Sequence, residues 1–186
     1  MLSDIQLVKL AKDGHLNAFE SIITRYKDKV FNIAFSFTSS HSESDDVAQN
    51  VFLKVYSNLN SFEEKSAFST WLYRITVNEC YNVLNKRKSN TVSIETELAG
   101  KDNLSLKEVL ADPKSDVEQN FLSAETQSII RKALLELPEK YRMIVTLRDI
   151  EDISYEEIAQ IMEISDAKVK VWLFRARSRL KSIIKI

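Results

Sequence analysis

Along this 186-residue chain the apolar positions recur mostly three and four residues apart, the period of helices with one buried face. They fall into two blocks separated by a stretch without a period. In the first block, Ser3 or Asp4 is placed to cap a helix whose apolar positions Ile5, Val8 and Leu10 run to Asp13-Gly14, where Gly14 supplies the stop. A second helix from Asn17 carries Phe19, Ile22, Ile23, Tyr26, Val30, Phe31, Ala34 and Phe35 as its buried stripe. The polar stretch Thr38 to Ser44 ends it, and Ser42 or Ser44 opens a third helix, Asp45 to Leu59. That helix turns Val47, Val51 and Val55 inward, with Phe52 as a further candidate, and leaves Asp46, Gln49, Asn50 and Lys54 outside. A polar loop, Asn60 to Ser66, leads to a fourth helix, Ala67 to Lys88.

From Ser89 to Glu118 no helical period is sustained and no aromatic residue occurs. Structureless loops of about thirty residues are uncommon inside one compact domain, so this stretch reads as a linker between two helical domains. The second block opens with a helix from about Val117 to Leu137. Pro138 follows, suited to a first helical position, and begins a helix to Ile150 with Met143, Ile144 and Leu147 inward. Ser154-Tyr155-Glu156-Glu157 has the form of a capping box, in which the serine hydroxyl and the glutamate carboxylate each take one unpaired amide. The short helix it starts presents Ile158, Ala159 and Met162, breaks at Glu163-Ile164-Ser165, and is followed by a longer helix from Asp166 to near the chain end. The inward stripe there is Val169, Trp172 or Leu173, Ala176, Leu180 and Ile183. Two helices, a three-residue turn and a basic second helix spell helix-turn-helix.

Composition agrees with an all-α fold. Two glycines and two prolines are about one residue in a hundred each, against roughly seven and five in average proteins. Turn-rich β folds and glycine-rich phosphate loops need more. The lone cysteine, Cys80, cannot make an internal disulfide or a zinc site, which suits a reducing cytoplasm. No secretory signal is expected from Met1-Leu2-Ser3-Asp4, and no apolar run approaches the ~18 residues of a membrane span. An enzyme is poorly supported: His15 and His41 lie in unlike settings, and the adjacent Asp45 and Asp46 diverge on a helix instead of converging on a metal. No catalytic residue, metal ligand or cofactor is expected.

A formal net charge of −1 argues against a nucleic-acid partner only if the charge is evenly spread. It is not. Residues 1–88 carry 11 basic and 10 acidic side chains, residues 89–118 carry 3 and 7, and residues 119–186 carry 12 and 10. After Asp166 every charged side chain is basic: Lys168, Lys170, Arg175, Arg177, Arg179, Lys181 and Lys185. With Val169, Leu173, Ala176 and Leu180 inward, the last helix presents Lys168, Lys170, Val171, Phe174, Arg175 and Ser178 on the opposite side. Lys170 and Arg175 are suited to guanine edges or phosphates, and Val171 to a thymine methyl. A three-helix module that binds protein, with its cations merely solvated, is the competing reading.

The fourth helix carries Phe68, Trp71, Tyr73, Arg74, Asn78, Tyr81 and Asn82 before the cluster Lys86-Arg87-Lys88. Rings to stack on, amides for base edges and cations for phosphate are the equipment of single-strand recognition. On composition alone the plainer reading is favoured, with Phe68, Leu72, Ile75 and one face of Trp71 as core and the cations as a solvated helix end.

In order and spacing these residues resemble the bacterial sigma factors, specifically the extracytoplasmic-function (ECF) group. The carriers are Asp4 to Leu7, Ala18-Phe19, Tyr26, Ser44 to Tyr56, Phe68, Trp71 to Ile75 and Asn78, then Leu137-Pro138, Arg142, Tyr155 to Ala159, Ile164-Ser165, Val169-Lys170 and Leu173 to Leu180. The resemblance implies a sigma2-like domain over 1–88, an acidic flexible linker over 89–117 and a sigma4-like helix-turn-helix domain over 118–186. It implies docking of Asp46, Gln49 and Asn50 on the clamp helices of core RNA polymerase. Asn50 stands where the family often has glutamate. It further implies capture of a flipped base by the loop from Asn58 to Ser66, with the unpaired minus-ten strand held beside Trp71, Arg74, Asn78, Asn82, Lys86 and Arg87. Lys168, Lys170, Val171, Phe174, Arg175 and Arg177 would meet the minus-thirty-five element, and the same domain the polymerase flap.

Three positions depart from the family in the second domain: Glu163 for glycine, Lys168 for threonine, and Val171-Trp172 for serine-arginine. A left-handed Glu163 would cost about 1 kcal/mol, and Val171 would alter promoter choice. The linker would thread the polymerase channels or serve as a plain tether. Also implied are an anti-sigma factor as partner, a cytoplasmic site of action without membrane insertion, and no covalent chemistry. A helix-turn-helix regulator outside the polymerase is the alternative, and it leaves the third and fourth helices unexplained.

Overall fold

The computed structural model describes residues 2–97 and 128–184. The remaining linker residues, the start of the helix expected from Val117, Lys185 and the Lys88 side chain lie outside that description. All regular structure among the described residues is helical: α1 (Asp4–Lys12), α2 (Leu16–Thr38), α3 (His41–Asn58), a 3-10 turn (Leu59–Ser61), α4 (Phe68–Glu97), α5 (helical over 128–135), α6 (Glu139–Val145) with a π turn (Thr146–Ile150), α7 (Tyr155–Met162) and α8 (Asp166–Ile184).

Local chemistry explains the boundaries. Ser3 caps α1 in a complete capping box with Gln6. Leu7, Val8 and Ala11 are its buried face; Ile5 is exposed, which rotates the expected stripe by about one position. Gly14 takes a left-handed φ of 91° and reverses the chain into α2. α2 ends at Ser39, left-handed at φ 56°, whose amide donates to the Phe35 carbonyl. Within α2 the fully buried set is shifted from the expectation, with Ile33 and Phe37 inside and Ile23, Phe31 and Phe35 only half-buried.

The cap of α3 is Ser40, neither Ser42 nor Ser44, so α3 begins four residues earlier than the pattern predicts. Its hydroxyl accepts from the Glu43 amide at 3.4 Å. Ser44 is instead buried, donating to the Ser40 carbonyl at 2.6 Å and sharing a 2.6 Å hydrogen bond with Thr38. α4 runs to Glu97, beyond the expected end at Lys88, so the first part of the predicted linker is helical.

α1 to α4 pack around one apolar core, and the second half continues it. Pro138 is the N-cap of α6 and not its first helical residue, so α6 begins one residue later than expected; its carbonyl accepts from Tyr141 at 2.8 Å and Arg142 at 3.0 Å. Every residue from Tyr141 to Leu147 is buried, although the periodicity singles out only Met143, Ile144 and Leu147. A helix covered on several sides loses its polar face, and here α8 packs on one side and α2 of the first half on another. Arg142 lies inside with them. Its guanidinium donates to the carbonyls of Leu134 (2.9 Å), Leu135 (2.7 Å) and Leu137 (3.3 Å), closing the end of α5. Burial pulls its pKa below the usual arginine value.

The halves meet where α7 lies on α4 and α6 on α2. Arg142 stacks over Phe37 at 5.4 Å and Arg131 over Phe35 at 4.9 Å. Lys29 reaches the Glu151 carbonyl at 3.4 Å. The Glu151 side chain is buried at this junction, with Oε1 unpartnered. Burial raises its pKa, offset in part by Asn32 and Lys29 from α2; burial first, and the Glu151 charge after it, raise the pKa of Tyr73 on α4. A raised carboxyl pKa favours the folded form fully at pH below its ordinary value of 4.5, and that contribution is lost as pH rises through the raised value. Glu151→Gln is therefore expected to raise the melting temperature at pH 7.5 and flatten its rise on acidification towards pH 5, read by calorimetry. Equal profiles for the two proteins would contradict the burial argument.

Candidate nucleic-acid interface

α4 turns Phe68, Leu72, Tyr73, Thr76, Val77 and Cys80 into the core. Their spacing leaves Trp71, Arg74, Asn78, Asn82 and Lys86 along a second face, three or four residues apart. Trp71 is half-buried in an aromatic cluster, its ring centroid 5.3 Å from Phe62 and 5.9 Å from Phe68. The core reading of this tryptophan thus holds in part, because the ring is only half-buried. Phe62 belongs to the loop before α4, pinned where the Lys12 ammonium donates to its carbonyl at 2.7 Å. Asn78 and Asn82 are exposed. Arg87 faces α3 and pairs with Glu43, apart from the stripe.

Arg74 does not point freely outward. One guanidinium nitrogen donates to the Gln160 carbonyl of α7 at 2.9 Å, another lies 3.6 Å from the Glu163 carboxylate, and Nε is buried without a partner. Asn78 borders a cleft with Lys140, Met162, Glu163 and Trp172. Sequence pattern could place both residues on the outer face of α4, but not show that α7 would lie over that face.

Asp46, Gln49 and Asn50 are exposed on α3 as expected. The same face continues through two large apolar side chains that the polar pattern left aside, Leu53 (58% exposed) and Tyr56 (49%). The signal for them was the three-to-four spacing itself, from Asp46 through Gln49 and Leu53 to Tyr56. Cys80 is buried, which pushes its thiol up to about 12, well away from reactivity. Among the described residues no group of three His, Cys, Asp or Glu is gathered as for a metal ion, and no helix is long and apolar enough to cross a membrane.

In the second half the capping box forms as the sequence predicts. The Glu157 amide donates to Ser154 Oγ at 3.2 Å, and the Ser154 amide to Glu157 Oε2 at 3.2 Å. Ile158, Ala159 and Ile161 are buried, with Met162 only half-buried in place of its expected inward position. The turn passes through Glu163 at φ 54°, the left-handed position where a side chain is strained. Ser165 Oγ then accepts from the Lys168 amide at 3.3 Å.

Leu173, not Trp172, is the fully buried member of the α8 stripe with Val169 and Ala176. Trp172 packs edge-on against Tyr141 at 6.3 Å, with the ammonium groups of Lys168 and Lys140 over its ring at 4.9 Å and 5.2 Å. Lys168 is thereby drawn sideways. Lys170, Val171, Phe174 and Arg175 remain outward; Phe174 is 76% exposed, unusual for a phenylalanine unless something covers it. Arg177 differs: it makes a two-point ion pair with Asp149, and that hydrogen bond raises its pKa further.

Two family models match the chain: Sigma-70 region 2 over residues 22–90 and Sigma-70, region 4 over residues 127–180. It is 33% identical to the ECF RNA polymerase sigma factor SigW of Bacillus subtilis, over 94% of this chain and 92% of that one. To the ECF RNA polymerase sigma-E factor of Escherichia coli it is 36% identical, over 96% and 93%. In fold it is similar to CnrH, solved in complex with the cytosolic domain of CnrY (TM-score 0.71, 21% identity, 98% of this chain and 97% of that one). It is similarly close to the sigma factor RpoE of Bartonella quintana, solved with the anti-sigma factor NepR (TM-score 0.70, 23% identity, 90% and 97%).

Proposed function

Because the chain belongs to the ECF RNA polymerase sigma factors, we propose that its two helical units divide promoter recognition between them, α4 taking the opened minus-ten strand and α8 the minus-thirty-five duplex. The observation that carries this division is the outward face of α8, where Lys170, Val171, Phe174 and Arg175 stand exposed over a buried Val169-Leu173-Ala176 stripe. A helix so presented enters a major groove with its cations at base edges and phosphates. Lys168 and Arg177 flank that face, and Arg177 has its Nε and one terminal nitrogen held by Asp149.

On α4, Trp71 offers the free side of its ring to a base, and Asn78 and Asn82 offer amides. Lys86 and Arg87 extend the cationic end. Unstacking bases costs a few kcal/mol per step, and stacking on aromatic rings returns about 1–3 kcal/mol per base. Recognition and strand opening are thus one process, without covalent chemistry in this subunit. The α3 face from Asp46 through Gln49 and Asn50 to Leu53 and Tyr56 meets the core polymerase, joining polar contacts to two apolar anchors. The second unit contacts the flap. The chain acts in the cytoplasm, restrained by an anti-sigma factor, and no cofactor takes part.

The test is transcription by sigma-free core polymerase on a genomic promoter pool with this protein added. New starts sharing a minus-ten and a minus-thirty-five element are expected. Absence of both added initiation and core binding would favour the helix-turn-helix regulator instead. A sharper prediction concerns one side chain. Arg175→Ala removes a charge-assisted base or phosphate contact worth about 1–3 kcal/mol. Upstream-element selection should fall about tenfold while core affinity is unchanged, measured by competition between promoters with and without that element. An equal loss of core affinity would misplace α8.

A further inference from the structure

We propose that this structure is an intramolecularly closed state in which Glu163 acts as a latch, holding Arg74 away from the minus-ten strand until the two units part. The inference rests on the proposed role of Arg74 in strand binding. It starts from the fact that this guanidinium already has occupants. The Gln160 carbonyl accepts from it at 2.9 Å and the Glu163 carboxylate lies 3.6 Å away, a neutral and an anionic acceptor of the kind that a base edge and a phosphate would supply. While these partners are held, the guanidinium is turned towards α7 and offers fewer of its five N–H groups to DNA. Asn78, the next residue of the stripe, is exposed but borders the cleft lined by Met162, Glu163 and Trp172, so α7 crowds its approach as well.

Glu163 is an unexpected residue for its place. Its φ of 54° favours glycine, and the side chain carried there despite the strain is one whose carboxylate reaches across to the other unit. The contact is also a releasable one. Glu163 is 73% and Arg74 38% exposed at the side chain, so the pair is screened by solvent and salt. Arg74 Nε is buried with no hydrogen-bond partner, a deficit that opening would repair by hydration. Closure is otherwise supported by Lys29 on the Glu151 carbonyl and by Arg142 and Arg131 over Phe37 and Phe35. Glu163 biases this equilibrium and does not make it alone. An exposed ion pair is worth at most about a fivefold change in such a balance.

The experiment uses the full chain labelled for distance measurement at two exposed positions, Ser21→Cys on α2 and Ser182→Cys on α8. Buried Cys80 reacts slowly under the same conditions. Pulsed electron resonance should find mainly the short distance in the parent. Glu163→Gln, and Glu163→Gly as a second variant suited to the turn, should raise the separated population about two- to fivefold. Both should tighten binding of a fluorescent single-stranded minus-ten oligonucleotide, taken from the mapped promoters, by the same factor. Distance distributions that stay unchanged in both variants, with helical content intact, overturn the latch. Arg74→Ala separates this result from the underlying reading. Unchanged oligonucleotide affinity in that variant overturns the strand-binding role of Arg74 and with it the masking, whereas a several-fold loss upholds that role and leaves the distances to decide closure.

Discussion

Arg142→Ala is expected to destabilise the protein by about 3 kcal/mol, the scale set by orphaning buried polar groups. The side chain is 7% exposed and serves three carbonyls at the end of α5, those of Leu134, Leu135 and Leu137. Truncation leaves these acceptors in a space too apolar to hydrate them well and removes the cation over Phe37. Arg142→Lys keeps the charge but has no planar fork to reach three acceptors, so it should recover only part of the loss. Urea unfolding followed by fluorescence reads the effect. Trp172 reports the second unit and Trp71 the first, and the Trp172 transition should move to lower urea. A midpoint within error of the parent's would show that the carbonyls find other donors.

Phe68→Ala should cost still more, about 4 kcal/mol, as large aromatic truncations in cores do. Phe68 opens α4 at 2% exposure and meets Tyr26, Phe62 and Trp71 edge-on or tilted at 5.6–5.9 Å between ring centroids. The cavity left behind would loosen the packed side of Trp71, so the emission of that residue should shift to the red before unfolding. Promoter opening should then fall more than core binding, since α3 keeps its own buried Val47, Val51 and Val55. Measured below the unfolding transition, equal losses of both would mean that Phe68 supports the first unit as a whole and not the base-stacking ring in particular.

Much of the fold was legible because helices are specified locally. The Ser154-Glu157 capping box and the break at Glu163 need only residues three to five apart, and both occur where the pattern puts them. The same holds for the outward set of α8, since Val169, Leu173 and Ala176 fix which side is left over. Errors gathered where one helix has more than one neighbour. Periodicity chose Met143, Ile144 and Leu147 in α6, yet the whole run Tyr141 to Leu147 is covered. Ser44 reads as a cap, yet it is a buried hydroxyl satisfied by Thr38, and Ser40 does the capping.

The site residues divide along the same line. The chain by itself determined which side chains share a helical face: Trp71, Arg74, Asn78 and Asn82 on α4, Lys170, Val171, Phe174 and Arg175 on α8, and Asp46, Gln49 and Asn50 on α3. These follow from a 3.6-residue period and the burial of the opposite side. Only the tertiary structure decided which of them are free. Arg177 meets Asp149 from 28 residues away, and Arg74 meets Gln160 from 86 away. Periodicity carries no information about such distant partners, because they depend on how one packed helix comes to lie upon another.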